Sequence, residues 1–156
     1  MEMQASRVLP VSVAQAWQAL NDPEILKASI PGCERFEPDP EAGPNVWAMG
    51  VKVKIGPVSA RFTGRITLAD VRPAEGYTLL FEAQGGAAGF GKGQAAVELA
   101  PLEAGCELRY AVKSTIGGKL AQIGQRLIDA AAKSLAEDFF KRFEAVLRER
   151  TGQAGG

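Results

Sequence analysis

The segment at residues 85–93, GGAAGFGKG, nearly spells a phosphate-binding loop, since Gly86, Gly91 and Lys92 stand at the G-x-x-x-x-G-K spacing. A loop that binds a magnesium nucleotide needs Ser or Thr after the lysine and a helix whose N-terminus faces the phosphates. Here Gly93 follows the lysine, and the next residues, QAAVELA, alternate like a strand. We therefore interpret these glycines as points where a sheet bends and leaves space, not as a nucleotide site.

Other catalytic and metal chemistry is limited by the residue types present. The sequence contains no histidine, which excludes Ser-His-Asp triads, Cys-His pairs and histidine-ligated zinc or haem. Its two cysteines, Cys33 and Cys106, are too few for a four-cysteine zinc site or an iron–sulfur cluster. We expect both to be small buried or half-buried residues. No catalytic residue, metal ion or covalent cofactor is predicted.

Charge and hydropathy narrow the class of partner. The 156 residues include 18 basic and 18 acidic side chains, so bulk charge does not indicate binding to nucleic acid. No apolar run reaches the length of a membrane span, and the N-terminus, MEMQASRVLP, lacks the pattern of a signal peptide. We expect a cytoplasmic protein with one domain at residues 1–150 and a flexible tail at residues 151–156.

The N-terminal part predicts one strand followed by two short helices. Residues 1–10 alternate between apolar and polar side chains. Ser12 and Gln15 then stand at the spacing of a capping box, which begins a short helix. A second short helix begins at Asp22 and Pro23, which suit the N-cap and the first helical position, and it ends near residue 30.

From residue 33 to residue 114 the pattern changes to a period of two, which is typical of antiparallel strands with one buried face. Five runs alternate clearly, at residues 47–55, 58–68, 77–84, 94–99 and 106–113. The polar positions of the first two runs hold Lys52, Lys54, Arg61 and Arg65, which form an outward-facing basic strip. We interpret this strip as solvated surface, with a docking patch for a partner protein as the alternative.

After residue 118 the apolar residues step by three or four, which predicts a long C-terminal helix. At about 1.5 Å per residue, thirty residues would extend about 45 Å and cross a whole sheet. The order of elements predicts an α+β protein with a helix-grip, or START-like, fold. A curved antiparallel sheet would wrap around the long helix, with two short helices after strand 1.

Short sequence segments narrow the resemblance from the START-like fold to one family. LNDPE followed by IPGCE, and later GGKLAQIGQRLID, are the most telling, and VKIGPVSARFTGRITL and GFGKGQAAVEL support them. Over residues 2–147 the chain resembles the family of the carbon monoxide dehydrogenase G subunit, within the START-like, Bet v 1-like SRPBCC superfamily. The resemblance implies a non-catalytic accessory protein of a molybdenum hydroxylase of the carbon monoxide dehydrogenase type. It also implies a bound quinone or lipid, and a role in recruitment to the inner face of the cytoplasmic membrane or in electron transfer.

Many members of that family continue into a membrane-associating segment, whereas this sequence ends at Gly156. We therefore expect ligand carriage or transient membrane contact rather than stable anchoring. The expected ligand, a hydrophobic small molecule, would lie in a cavity between the sheet and the long helix. The candidate ligand-binding residues are apolar or aromatic and lie on the strands and the helix: Phe62, Phe81, Phe90, Tyr110, Leu120, Ile123 and Leu127.

Two other functions remain open from the sequence. A small enzyme of the same fold, such as a cyclase or hydrolase, would need an acid–base pair inside the cavity, and the inward-facing positions carry almost no such groups. A pure adaptor protein would have a solid core, in which Phe62, Phe81 and Tyr110 serve only in packing. A buried carboxylate with a raised pKa would favour the enzyme, and a filled interior would favour the adaptor.

Overall fold

Seven antiparallel strands form one curved sheet against which a long C-terminal helix packs. The computed structural model describes the backbone of residues 1–155 and the side chains of residues 1–150. The strands lie in the order β1-β7-β6-β5-β4-β3-β2. Their bounds are β1 (Glu2–Leu9), β2 (Cys33–Pro38), β3 (Val46–Ile55), β4 (Val58–Arg72), β5 (Gly76–Gln84), β6 (Phe90–Leu102) and β7 (Gly105–Gly117). The helices are α1 (Val13–Leu20), α2 (Pro23–Ser29), α3 (Lys119–Gln122) and α4 (Gln125–Gly155). The predicted α+β architecture, with two short helices after strand 1, is confirmed.

The two short helices begin where the sequence predicts. Before α1, the Gln15 amide N–H donates to Ser12 Oγ at 3.2 Å, and Gln15 Oε1 accepts from the Ser12 amide at 3.0 Å. Before α2, Asp22 Oδ1 accepts from the amide of Glu24 at 3.0 Å. Both caps satisfy amide groups that a helix N-terminus leaves without partners. They fix the pair of helices that closes one end of the sheet.

Glycines on the concave face allow the sheet to bend strongly. At Gly93 in β6, a Cβ atom would lie only 2.7 Å from Cα of Ser114 in β7. At Gly64 in β4, it would lie 2.7 Å from Cα of Ala83 in β5. The neighbouring backbones therefore approach more closely than any side chain would permit, which is typical of a tight bend in a strand. This supports the interpretation of the glycines as bending points.

The C-terminal segment is not one continuous helix from residue 119. Gly124 has a φ of +98°, which breaks the helix between α3 and α4. Because the break changes the helical phase, the three-or-four spacing of apolar residues that begins at Leu120 in α3 does not predict which residues of α4 face inward. Leu127, which we expected to face inward, is 48% exposed, whereas the next residue, Ile128, is buried. Phe140, further along α4, is also buried.

The interior has three zones along the length of the sheet. A main core lies where α1 and the C-terminal part of α4 meet β6 and β7, around Leu9, Leu108 and Phe143. At the opposite end Phe62 and Leu120 are buried outside that core. A cavity separates the two zones.

We predicted a flexible tail at residues 151–156. The side chains of these residues, and all of Gly156, lie outside the described part of the chain, so the tail stays a prediction. Within the described residues, none of the helices is both long enough and apolar enough to cross a bilayer.

Candidate ligand-binding site

An apolar cavity of about 260 Å³ lies between the concave face of the sheet and the helices. Every strand contributes at least one side chain to its wall, which includes Met3, Phe36, Trp47, Leu68, Leu79 and Val112. Because side chains alternate along a strand, the same face that forms the core also forms this wall. The cavity is therefore part of the interior of the fold.

The helices close the remaining side of the cavity. Leu20 at the end of α1, Leu26 in α2, and Ala136, Phe139 and Phe140 in α4 contribute to this side. The two phenylalanine rings meet edge to face with centroids 5.1 Å apart. Such a pair fixes the orientation of both rings, so α4 offers the cavity a rigid aromatic surface.

The residues with polar side-chain groups that line the cavity are Asn21, Trp47, Tyr77 and Tyr110. Tyr77, in β5, is 5% exposed and packs edge-on against Trp17, with centroids 5.7 Å apart. Tyr110, in β7, stacks on Phe140 at 5.4 Å. The amide of Asn21 is already engaged, since its Nδ2 donates to the carbonyl of Trp17 at 2.9 Å. Neither tyrosine hydroxyl forms a hydrogen bond with another described residue.

Both tyrosines remain protonated at neutral pH. Burial raises the pKa of Tyr77 well above its ordinary value of about 10. Burial also raises the pKa of Tyr110. The nearby cation of Arg7 opposes this shift, and the nearby carboxylate of Glu137 adds to it. Both hydroxyls therefore keep the proton that a hydrogen-bond donor needs.

A polar groove between β1 and α4 adjoins the cavity. Met3, Tyr110 and Phe140 line both spaces, so their side chains form the partition between them. On the groove side the Arg7 guanidinium lies 5.5 Å from the centroid of the Phe140 ring, and Arg7 Nε donates to Glu144 Oε1 at 2.9 Å. This ion pair ties the edge strand to the helix beside the partition.

The seven predicted ligand-binding residues fall into different places. Tyr110 lines the cavity. Phe62 and Leu120 are buried at the far end of the interior, and Phe81 and Ile123 are half-buried. Phe90 and Leu127 are exposed, at 41% and 48%. Apart from Tyr110, none of the seven touches this cavity, so their part in binding stays a prediction.

The glycine-rich stretch is a bend that leads into a strand. Residues 86–88 form one 3-10 turn, and β6 begins at Phe90, so Lys92 lies within a strand with its side chain exposed. β6 continues directly after Lys92, where a phosphate-binding loop would need a helix, and the alternation of QAAVELA predicts this strand. In the part of the chain that the structure describes, no three His, Cys, Asp or Glu side chains come together as metal ligands.

Several cavity residues were not singled out from the sequence. Leu79, Ala95 and Val112 stand side by side in register on β5, β6 and β7. Their inward direction follows from the alternation, but alternation does not show which part of the inner face is left uncovered. A small side chain such as Ala95 between two larger ones is the one signal in the sequence that points to this part of the sheet.

The comparisons with known proteins agree with this architecture. The family model of the carbon monoxide dehydrogenase G subunit (CoxG) matches residues 8–148, which is nearly the whole chain. The chain belongs to this family. Among curated proteins, none matches the chain.

Solved structures place the CoxG-family chain among Bet v 1-like and START-like folds. A conserved protein from Geobacillus kaustophilus is 31% identical, with a TM-score of 0.88 over 96% of both chains. The Zhui aromatase/cyclase from Streptomyces sp. R1128 is 14% identical, with a TM-score of 0.68 over 100% of this chain and 98% of that one. Ara h 8.0201 is 16% identical, with a TM-score of 0.65 over 96% of this chain and 98% of that one. At such low identity the last two similarities concern the fold alone.

Proposed function

We propose that this protein is a non-catalytic accessory protein that binds a hydrophobic ligand and serves a molybdenum hydroxylase of the carbon monoxide dehydrogenase type, in transient contact with the inner face of the cytoplasmic membrane. Membership of the CoxG family supports the partner. The apolar cavity supports the ligand, and it is the observation that carries this proposal. Burying apolar surface there contributes about 25 cal/mol per Å² of ligand area removed from water.

The size of the cavity favours a ligand with one ring at its buried end. A benzene molecule is held by a cavity of about 150 Å³, so 260 Å³ accommodates one substituted ring but no long chain. We propose that the Tyr77 and Tyr110 side chains, which line the cavity, donate hydrogen bonds to ring carbonyl oxygens. A quinone head group satisfies both requirements, and another lipid with a carbonyl at its end would also do so.

The other predicted residues suggest a path for the rest of such a ligand. Along β4 and β5 the concave face continues from the cavity residues Ile66 and Leu79 to Phe62 and Phe81. Leu120 follows in α3 and Ile123 directly after it, and Phe90 and Leu127 lie at the outer end. We propose that an extended tail contacts these side chains after displacing the packing between them.

The composition of the wall favours binding over catalysis. The described residues that line the cavity include no carboxylate, lysine, arginine or cysteine, so the wall offers only tyrosines for proton transfer. Similarity of fold to an aromatase/cyclase does not transfer that activity, because function depends on the site and not on the fold.

Ligand extraction tests the proposal directly. The protein purified from its native host is extracted with organic solvent, and the extract is analysed by mass spectrometry for quinones and lipids. Tyr110→Phe should weaken rebinding of the extracted ligand about fivefold, because one neutral hydrogen bond contributes about 1 kcal/mol. An extract free of hydrophobic compounds, or a chain that never co-purifies with hydroxylase subunits, would contradict the corresponding half of the proposal.

A further inference from the structure

Basic and acidic residues are unevenly distributed although their numbers are equal. Three segments, at residues 42–69, 83–97 and 108–128, contain no Asp or Glu. Besides parts of the strands, they contain the β3–β4 turn, the 3-10 turn before β6, and the junction of β7 with α3. These three turns meet at one end of the domain, where α3 packs against both β7 and the 3-10 turn. We call this the loop end.

Several cations at the loop end are exposed and unpaired. Lys54, Lys119 and Arg126 form no ion pair with any residue that the structure describes, and neither do Lys52 and Lys92 further along the strands. The basic strip predicted from the sequence therefore divides into two parts. Its lysines, Lys52 and Lys54, form no ion pair with a described residue, whereas its arginines do.

The other part of the strip is neutralised by carboxylates of β2 and the loop that follows it. Arg61 Nε lies 2.9 Å from Glu34 Oε1, and Arg65 Nε lies 3.6 Å from Asp39 Oδ2. Asp129, the first acidic residue of α4, accepts from Gln125 Nε2 at 2.7 Å. Glu34, Asp39 and Asp129 are thus engaged elsewhere, and none of them forms an ion pair with Lys54, Lys119 or Arg126.

Two large apolar side chains are exposed among these cations. The Phe90 ring covers Gly117 at the β7–α3 junction and is 41% exposed. Leu127 is 48% exposed, and its Cδ1 lies 3.8 Å from the position that a Cβ of Gly56 would take in the β3–β4 turn. Pro57, beside that glycine, is exposed too. Phe90 is the first residue of β6 and Leu127 lies in the first turn of α4, so these apolar groups lie next to the turns of the loop end.

We propose that the loop end is a docking surface for a bilayer that contains anionic lipids. Exposed aromatic and aliphatic side chains surrounded by cations suit the lipid interface, where rings enter the headgroup layer and cations bind phosphate groups. A stable protein interface instead buries about 800 Å² on each partner, which is more than two exposed apolar side chains supply. The inference gives the membrane contact of the proposed function a defined surface, and it does not depend on a ligand in the cavity.

Docking in this way orients the domain on the membrane. Phe62 lies directly behind the surface, since its ring carbons are 2.6 to 3.0 Å from the position that a Cβ of Gly85 would take. Leu120 is buried nearby in α3. The buried end of the interior thus faces the bilayer, and the main core around Leu9 and Phe143 faces away from it.

Vesicle sedimentation tests the surface. The full chain is mixed with phosphatidylcholine vesicles with and without phosphatidylglycerol, at low and high salt. We expect binding only to the anionic vesicles, weakened by salt because exposed charges are screened. The triple variant K54Q/K119Q/R126Q should bind about 100-fold more weakly, since each cation near an anionic surface contributes about 1 kcal/mol and 1.4 kcal/mol is tenfold.

A matched control removes the same charge from α4. The variant K133Q/K141Q/R148Q changes three exposed cations outside the loop end and should lose less than tenfold in vesicle binding. Leu127→Gln should reduce vesicle binding severalfold at unchanged charge, and equal melting temperatures would show that all variants are folded. Absent binding of the unmodified chain, or equal losses in the two triple variants, would overturn the proposal. Ligand content measured on the same samples reports on the cavity separately.

Discussion

Ala95→Phe in β6 should stabilise the ligand-free protein while preventing it from binding ligand. Ala95 faces the cavity between Leu79 and Val112. A phenyl ring needs about 150 Å³ of the 260 Å³ present, which leaves too little space for a second ring. Filling apolar space recovers about 24 cal/mol per Å³, or at most about 3.6 kcal/mol over about 150 Å³. Strain from imperfect fit costs about 1–3 kcal/mol, so we expect a net gain of about 0.5–2.5 kcal/mol.

The assay is urea denaturation of protein stripped of ligand, together with mass spectrometry of ligand retained after purification. Ala96→Phe is the matched control, because the next residue along a strand points to the opposite face and is exposed. The control should change the free energy of unfolding by less than about 0.5 kcal/mol and keep its ligand. If Ala95→Phe instead lost several kcal/mol while retaining ligand, the space would already be filled and the cavity would not be the site.

Three further predictions concern the sheet, the buried tyrosine and the ion pair beside the cavity. Gly93→Ala should lower the free energy of unfolding by about 2–3 kcal/mol, because its Cβ would overlap the backbone of β7. Gly91→Ala, where nothing lies within 4 Å, should change it by less than about 0.5 kcal/mol in the same urea titration. Because the pKa of Tyr77 is raised by folding, the unfolded chain loses that proton first. Tyr77 should therefore lower stability by about 1.4 kcal/mol per pH unit above about pH 10, and Tyr77→Phe should make the slope shallower by that amount in pH-dependent melting. Arg7→Gln should cost about 1 kcal/mol, since it removes both the bond to Glu144 and the cation over an aromatic ring; no loss in urea denaturation would mean that this pair is fully solvated.

Alternation in the sequence predicted most of the sheet, and its failures have local causes. The strand predicted at residues 77–84 corresponds to β5, which begins one residue earlier. β6 begins at Phe90 and not at residue 94, because Gly91 and Gly93 carry no side chain and so show no alternation. β2 was not distinguished as a strand, since Phe36 is its one buried residue and the rest of CERFEP is polar or half-exposed.

The site was harder to predict than the fold. The alternation along a strand shows which face of the sheet a side chain occupies, but it does not show whether the helices cover that position. Phe62 and Leu79 both occupy inward positions in alternating strands, but only Leu79 borders the cavity. Which of them is left uncovered depends on where the helices cross the sheet. That crossing is set in part by the break at Gly124, whose effect on helical phase also turned Leu127 outward. Neither the place where the helices cross the sheet nor the change of helical phase at Gly124 can be predicted from the spacing of apolar residues alone.

The pairing of the first strand with the last determines the order in which this protein can fold. β1 lies against β7, with Glu2 opposite Lys113, and the ammonium of Met1 donates to the carbonyl of Ser114 at 2.7 Å. During synthesis β1 therefore emerges long before β7. Until β7 is available, the amide and carbonyl groups of β1 lack their partners in the sheet. Contacts so distant along the chain carry a loop-closure entropy that is lost before any stabilisation is gained, which slows folding. We expect closure of this edge to be the slow step, completed only after the β6–β7 hairpin has formed.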